Sequence, residues 1–104
     1  MEERKYRVIV SRRAAQMLTS HAAFLAGASP SAAEQLLTAF EAAARSLEQF
    51  PQRCPWLRGD YIPPNKYRCR LFAERYLLIY QIQDDIVYAD YVVDCRQNYG
   101  WLIC

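Results

Sequence analysis

The last third of the chain, Lys66 to Cys104, constrains the fold more than any other stretch. The segments KYRCRLF, RYLLIYQIQ and DIVYADYVVD are each rich in Tyr, Val, Ile and Leu, side chains that suit a pleated, half-buried surface. The Ala73-Glu74-Arg75 and Asp84-Asp85 steps between them are short enough for hairpins. A three-stranded antiparallel meander is expected, followed by a short C-terminal tail.

The preceding residues supply one more strand and two helices. Tyr6 to Ser11 alternates and is β-branched, which predicts a first strand. Ser11 can cap a helix from about Arg12 to Ala26, with Ala14, Leu18, Ala22 and Leu25 at helical spacing and Gly27 at the exit. Ser31-Ala32-Ala33-Glu34 has the form of a capping box, with Ser29-Pro30 just ahead, and starts a second helix. Its stripe is Leu36 or Leu37, Phe40, Ala43 or Ala44, and Leu47. It should run to about Gln49 and stop at Phe50-Pro51, because proline disfavours helical geometry in the residue before it. The loop to Asn65 is long and proline-rich, and Trp56, Leu57, Tyr61 and Ile62 suit packing it down on the protein. The order predicts an α+β fold: an N-terminal strand, a two-helix hairpin and the meander, with the helices on one face of the sheet. There is no internal repeat, and residues 1–104 read as a single domain.

A hydrophobic content of 53% with 13% aromatics supports a packed globule. The net charge of +2 does not announce a polyanion partner, but its distribution is uneven. From Arg53 to Arg70 there are five basic residues against Asp60 alone, and the first thirteen residues hold five basic residues against two acids. An anion-binding face and a merely basic solvated surface both account for this. The four cysteines form no C-x-x-C pair and no metal-type spacing. Behind the charged start there is no apolar signal segment, and no run approaches the ~20 residues of a membrane span. A cytoplasmic protein with reduced thiols is expected, with Cys69 and Cys95 as small buried or half-buried strand residues.

Arg68 and Arg70 lie two apart on one strand, so alternation puts them on one face, and Arg96 follows the last strand. Arginine offers a permanently charged fork of donors suited to phosphate. Salt bridges to Glu74, Asp90 or Asp94 are the alternative. Tyr99 sits in the tail, where it can stack on a base or donate a proton, or with Trp101 can pin the tail to the core. The single histidine, His21, falls inside the first helix and reads as structural. No Ser-His-Asp set, glycine-rich phosphate loop or paired-carboxylate signature is present. Any catalysis would rest on cationic stabilisation, with Tyr or Lys carrying protons.

In this order, YRVIVSRRAAQML, the hairpin closing with LEQFP, and YRCRLFAERYLLIYQIQDDIVYADYVVDCRQNYGWLI resemble the RelE/ParE superfamily of bacterial type II toxin–antitoxin toxins, the plasmid stabilisation family, over Tyr6 to Ile103. The resemblance implies a toxin held inactive by a cognate antitoxin that wraps it, with no cofactor or metal. RelE-like members cut messenger RNA in the ribosomal A site and so inhibit translation, whereas ParE-like members lack that chemistry and poison DNA gyrase. The RelE-like pattern places basic residues at Arg68 and Arg70, an arginine at Arg96 and a tail tyrosine approximated by Tyr99. It also carries an arginine where this chain has Leu77. The matched positions imply an endoribonuclease in which Lys66, Arg68, Arg70 and Arg96 bind RNA. There the 2′-hydroxyl attacks the adjacent phosphate, the arginines offset its growing charge, and Tyr99 or Lys66 moves a proton. A non-catalytic gyrase inhibitor and an inactive antitoxin-binding remnant are the other readings.

Overall fold

The computed structural model describes residues 5–59 and 62–95. In chain order they form β1 (Arg7–Val10), α1 (Arg12–Ala28), α2 (Pro30–Ser46), a 3₁₀ turn (Pro51–Arg53), β2 (Arg68–Phe72), β3 (Tyr76–Gln83) and β4 (Ile86–Asp94). The sheet order is β1-β4-β3-β2, with β1 parallel to β4 and the other pairs antiparallel. This is the α+β arrangement expected from the sequence. Asp84 takes a positive φ of 56° as the first of two loop residues between β3 and β4, the position where a II′ hairpin turn needs one.

The β4 strand carries a bulge that divides the core in two. Ile79 pairs with Tyr91 but Tyr80 pairs with Ala89, so Asp90 is an extra residue on β4. Before the bulge, Val87 and Ala89 face the helices; after it, Val92 does, while Tyr91 and Val93 turn to the opposite face. The extra residue is held on both sides: Ser11 Oγ donates to its carbonyl at 3.3 Å and Gln81 Nε2 to its carboxylate at 2.8 Å. The helix-side core joins Leu78, Tyr80, Phe72 and Tyr76 to Leu36, Phe40, Ala43 and Leu47 of the α2 side. α1 contributes Ala14 and Ala22, whose small side chains let it lie close to β4. On the other face, Leu57 and Ile62 from the long loop cover Tyr67, Ile79, Tyr91 and Val93. The loop thus packs as its apolar content suggests; Tyr61 lies outside the described residues.

β4 runs past the end of β1, and α1 covers the edge this leaves. Ser11 N–H donates to Ala89 O at 2.9 Å, Arg13 bonds the Tyr91 hydroxyl, and His21 Nε2 lies 3.1 Å from Val92 O. The His21 ring also meets Tyr76 edge-on at 5.2 Å. His21 is therefore structural, as read from its place in the helix: it meets a strand carbonyl that β1 does not reach.

The helix boundaries differ from those read in the sequence. α1 continues through Gly27 to Ala28, and Ser29, rather than Ser31, caps α2 by accepting from Ala32 N–H at 3.3 Å. Proline at the first helical position explains this, since its fixed φ suits that site and it has no N–H to lose. Ser29 also closes α1, its N–H donating to Leu25 O at 2.7 Å. One residue joins the two helices. α2 ends at Ser46, three residues before the expected stop.

Two outcomes follow for stability. A Cβ added at Gly27 meets nothing within 4 Å, so Gly27→Ala should raise stability by about 0.5–1 kcal/mol in urea unfolding. Tyr80 is fully buried and donates to Pro51 O at 2.6 Å. Burial, helped by the hydrogen-bonded Cys54 side chain, pushes its hydroxyl far above the ordinary tyrosine value. The unfolded chain ionises this group near pH 10 and the fold keeps it protonated. Its contribution is therefore complete below about pH 10 and declines above it, by about 1.4 kcal/mol per pH unit. Urea unfolding between pH 8 and 11 should show this decline, lessened in Tyr80→Phe; parallel losses in both proteins would refute it.

Candidate functional site

β2 is an edge strand, and its register with β3 fixes where each basic side chain points. Arg68 is opposite Tyr80, Arg70 opposite Leu78 and Phe72 opposite Tyr76, so both arginines share the helix-bearing face, as alternation requires. Leu77 pairs with Leu71 and packs against the other core cluster, on the opposite face. A cation at position 77 would not join Arg68 and Arg70 on their side of the sheet.

Arg68 is closely engaged by the loop. Its guanidinium lies 3.8 Å from the centre of the Trp56 ring and donates to Gln52 O at 2.9 Å and Cys54 O at 2.7 Å. The same segment pairs with β2 through a Trp56–Arg68 bridge, with Leu57 N–H donating to Tyr67 O and Cys69 N–H to Pro55 O. Arg68 is held by carbonyls and an aromatic face rather than by Glu74, Asp90 or Asp94. Arg53 has a related role: its Nη1 donates to Ser46 O, Gln49 O and Phe50 O, carbonyls that the end of α2 and the following turn leave free. Two of the five cations that make the Arg53–Arg70 stretch basic thus serve the backbone.

The remaining members are arranged differently. Lys66 is exposed, with Nζ 5.3 Å from the Tyr67 ring centre. Arg70 is half-buried, and its Nε is covered without a hydrogen-bond partner. It lines an open pocket of about 460 Å³ together with Arg53, Cys54, Pro55, Cys69, Leu71 and Leu77. Arg96 and Tyr99 lie outside the described residues. Among the described basic positions, Arg68 and Arg70 share a face but not an environment: one is bonded to the loop, and the other has a donor unmet.

Among the described cysteines, Cys69 and Cys95 are pushed away from the thiolate form, chiefly by burial. Cys54 is buried and Cys69 half-buried, and burial, with the neighbouring Cys54 and Cys95, pushes the Cys69 thiol up. Cys95 is exposed and one residue beyond β4, not the buried or half-buried strand residue expected from its apolar neighbours. Among the described residues no three of His, Cys, Asp and Glu gather as metal ligands. No helix among them is long and apolar enough to cross a membrane. The sequence reading missed the Trp56 clamp on Arg68: it has Trp56 packing the loop down on the protein, and nothing in the spacing pairs that ring with the strand arginine. Replacing Arg68 by Met should lower stability by about 2 kcal/mol, because two charge-assisted bonds and a cation–π contact are lost together. Thermal unfolding of the variant beside Lys66→Met, which should stay within about 0.5 kcal/mol, checks this.

Comparison with known proteins places this geometry. Comparison with curated proteins gives no match. Among solved structures, the chain is similar to one from the "Chromosomal ParDE TA system from P. aeruginosa". The TM-score is 0.72 at 12% identity, over 88% of this chain and 97% of that one. At that identity the likeness speaks for the fold. The sequence model of the ParE toxin of type II toxin–antitoxin systems, parDE, matches residues 8–99. With that pattern running from β1 through both helices to beyond β4, the chain belongs to the ParE toxin family of type II toxin–antitoxin systems.

Proposed function

We propose that this toxin disables DNA gyrase by binding it, without cutting RNA, and that a cognate antitoxin holds it inactive. The observation that carries this reading is the engagement of Arg68. The ribonuclease implied by the matched basic positions needs several free cations around one phosphate, because charge stabilisation would supply most of its rate. Arg68 instead binds Gln52 O, Cys54 O and the Trp56 ring, and releasing it would unpin the loop from β2. Leu77 stands where RelE-like enzymes carry a further arginine, and it packs on the other face. Family membership supports the same side of the division. A gyrase target makes the cytoplasm the place of action.

The test pairs two assays on the pure protein. Supercoiling of relaxed plasmid by gyrase should be inhibited in proportion to added toxin. In cell-free translation followed by primer extension, the messenger should stay intact. Normal supercoiling at high toxin excess, with discrete ribosome-dependent cuts within codons, would sink the reading and return Lys66, Arg70, Arg96 and Tyr99 to the centre of a ribonuclease mechanism.

A further inference from the structure

The sheet has two edges, and the chain treats them differently. At the β2 edge the loop returns and pairs, Leu57 N–H donating to Tyr67 O and Cys69 N–H to Pro55 O. At the β1 edge the pairing is one-sided. Arg7 N–H donates to Asp85 O and Ser11 N–H to Ala89 O, so Arg7, Ile9 and Ser11 turn their backbone groups toward β4. Those of Val8 and Val10 point away from the sheet. Among the described residues no backbone bond reaches either from outside the ladder. An open edge is a template for another strand unless charge, proline or a bulge blunts it. In Arg7-Val8-Ile9-Val10 only Arg7 does so, and Ile9 and Val10 are 38% and 37% exposed.

The edge is complementary to itself. Antiparallel pairing about a two-fold axis at Ile9 sets Val8 opposite Val10 of a second copy, and Val10 opposite its Val8. These are the two residues with outward groups, so each pair exchanges both hydrogen bonds. Val8 packs toward the helix-side core, which puts Arg7 and Ile9 on the other face, where Ile9 meets its own counterpart across the axis.

The charges at the ends match as well. The register sets Arg7 opposite Ser11 of the second copy, and Ser11 lies against the bulge at Asp90. The half-buried Asp90 carboxylate sits with Gln81 on the same face as Arg7. One step further, Arg12 of the second copy comes level with Tyr6, whose N–H is already taken by Glu48 O. Pairing must stop there, and it does, because Arg12 has left the strand to begin α1. An exposed guanidinium and a helix N-terminus without acidic residues are thereby brought toward the Glu48 carboxylate.

We propose that two copies of this chain associate through their β1 edges, joining two four-stranded sheets into one continuous sheet across a two-fold axis at Ile9. Four residues of strand make a small interface, so the dissociation constant is on the order of 10–100 μM. The association is independent of the toxin's target.

Sedimentation velocity on the full chain, over concentrations spanning that range, should show monomer passing into dimer. Hydrogen exchange read by NMR tests the register. The Val8 and Val10 amides should slow at least ten-fold as the protein is concentrated, while those of Arg7 and Ile9, already turned to β4, should not change. Ile9→Lys and Ile9→Glu each place like charges at the axis and should leave the protein monomeric, and their equimolar mixture should associate again. Val10→Pro removes an outward donor at an edge position that tolerates proline, and should abolish the dimer while the monomer's circular dichroism is kept. A monomer at every concentration would overturn the proposal. So would a dimer whose Val8 and Val10 amides exchange unchanged, or one that Ile9→Lys and Ile9→Glu each still form alone. Protection of those two amides only when antitoxin is added, with the toxin alone monomeric, would also overturn it and assign the edge to the antitoxin.

Discussion

The single extra residue on β4 is the constraint on which the rest of the structure depends. A strand of regular alternation can present one apolar set to one face, but β4 serves two cores. Asp90 breaks the alternation so that Val87, Ala89 and Val92 all face the helices, while Tyr91 and Val93 face the long loop. The second core gives Leu57 and Ile62 a surface to cover, which holds residues 55–59 and 62–66 to the sheet and brings Trp56 against Arg68. Ser11 connects the two ends of this arrangement, since it caps α1 and bonds the bulged carbonyl. If β4 alternated regularly through Asp90 instead of bulging there, Tyr91 and Val93 would turn into the alanine-lined helix face and Val92 out of it.

Much of this architecture was legible in the sequence, for physical reasons that can be named. The three terminal strands are β-branched and aromatic and are separated by steps of two or three residues, so their pairing is local and hardly depends on the rest of the chain. The two helices carry apolar stripes at the right period, and Leu36, Phe40, Ala43 and Leu47 are all buried. The bulge left no mark, because Asp90 is neither Gly nor Pro and its stabilising partners, Ser11 and Gln81, come from other elements. The α2 cap was misplaced by two residues because the Ser31–Glu34 pattern competes with Ser29-Pro30, and proline at the first helical position prevailed.

The site was less legible than the fold. Spacing put Arg68 and Arg70 on one face correctly, but it could not tell what else that face meets. Both lie beside the end of α2, where a helix terminus and a 3₁₀ turn expose several carbonyls. Arginine is drawn to such carbonyls as readily as to phosphate, so a basic stretch in a small α+β protein is partly a backbone requirement. Of the described cations, Arg68 and Arg53 answer that requirement and Arg70 does not. That difference separates a structural arginine from one with unused capacity, and only side-chain environment reveals it.

The one-residue link between the helices has a consequence for how copies of this chain meet. Small helical hairpins often exchange a helix between two molecules by opening the turn into a longer, continuous rod. Here Ser29 is tied to Leu25 on one side and to Ala32 on the other, and Pro30 would have to enter the interior of that rod. Proline there lacks the donor for the carbonyl of Ala26 and its ring collides with it. Exchange of a helix through such a rod is opposed by a single imino acid, so Pro30 keeps the two helices folded back on each other within one molecule.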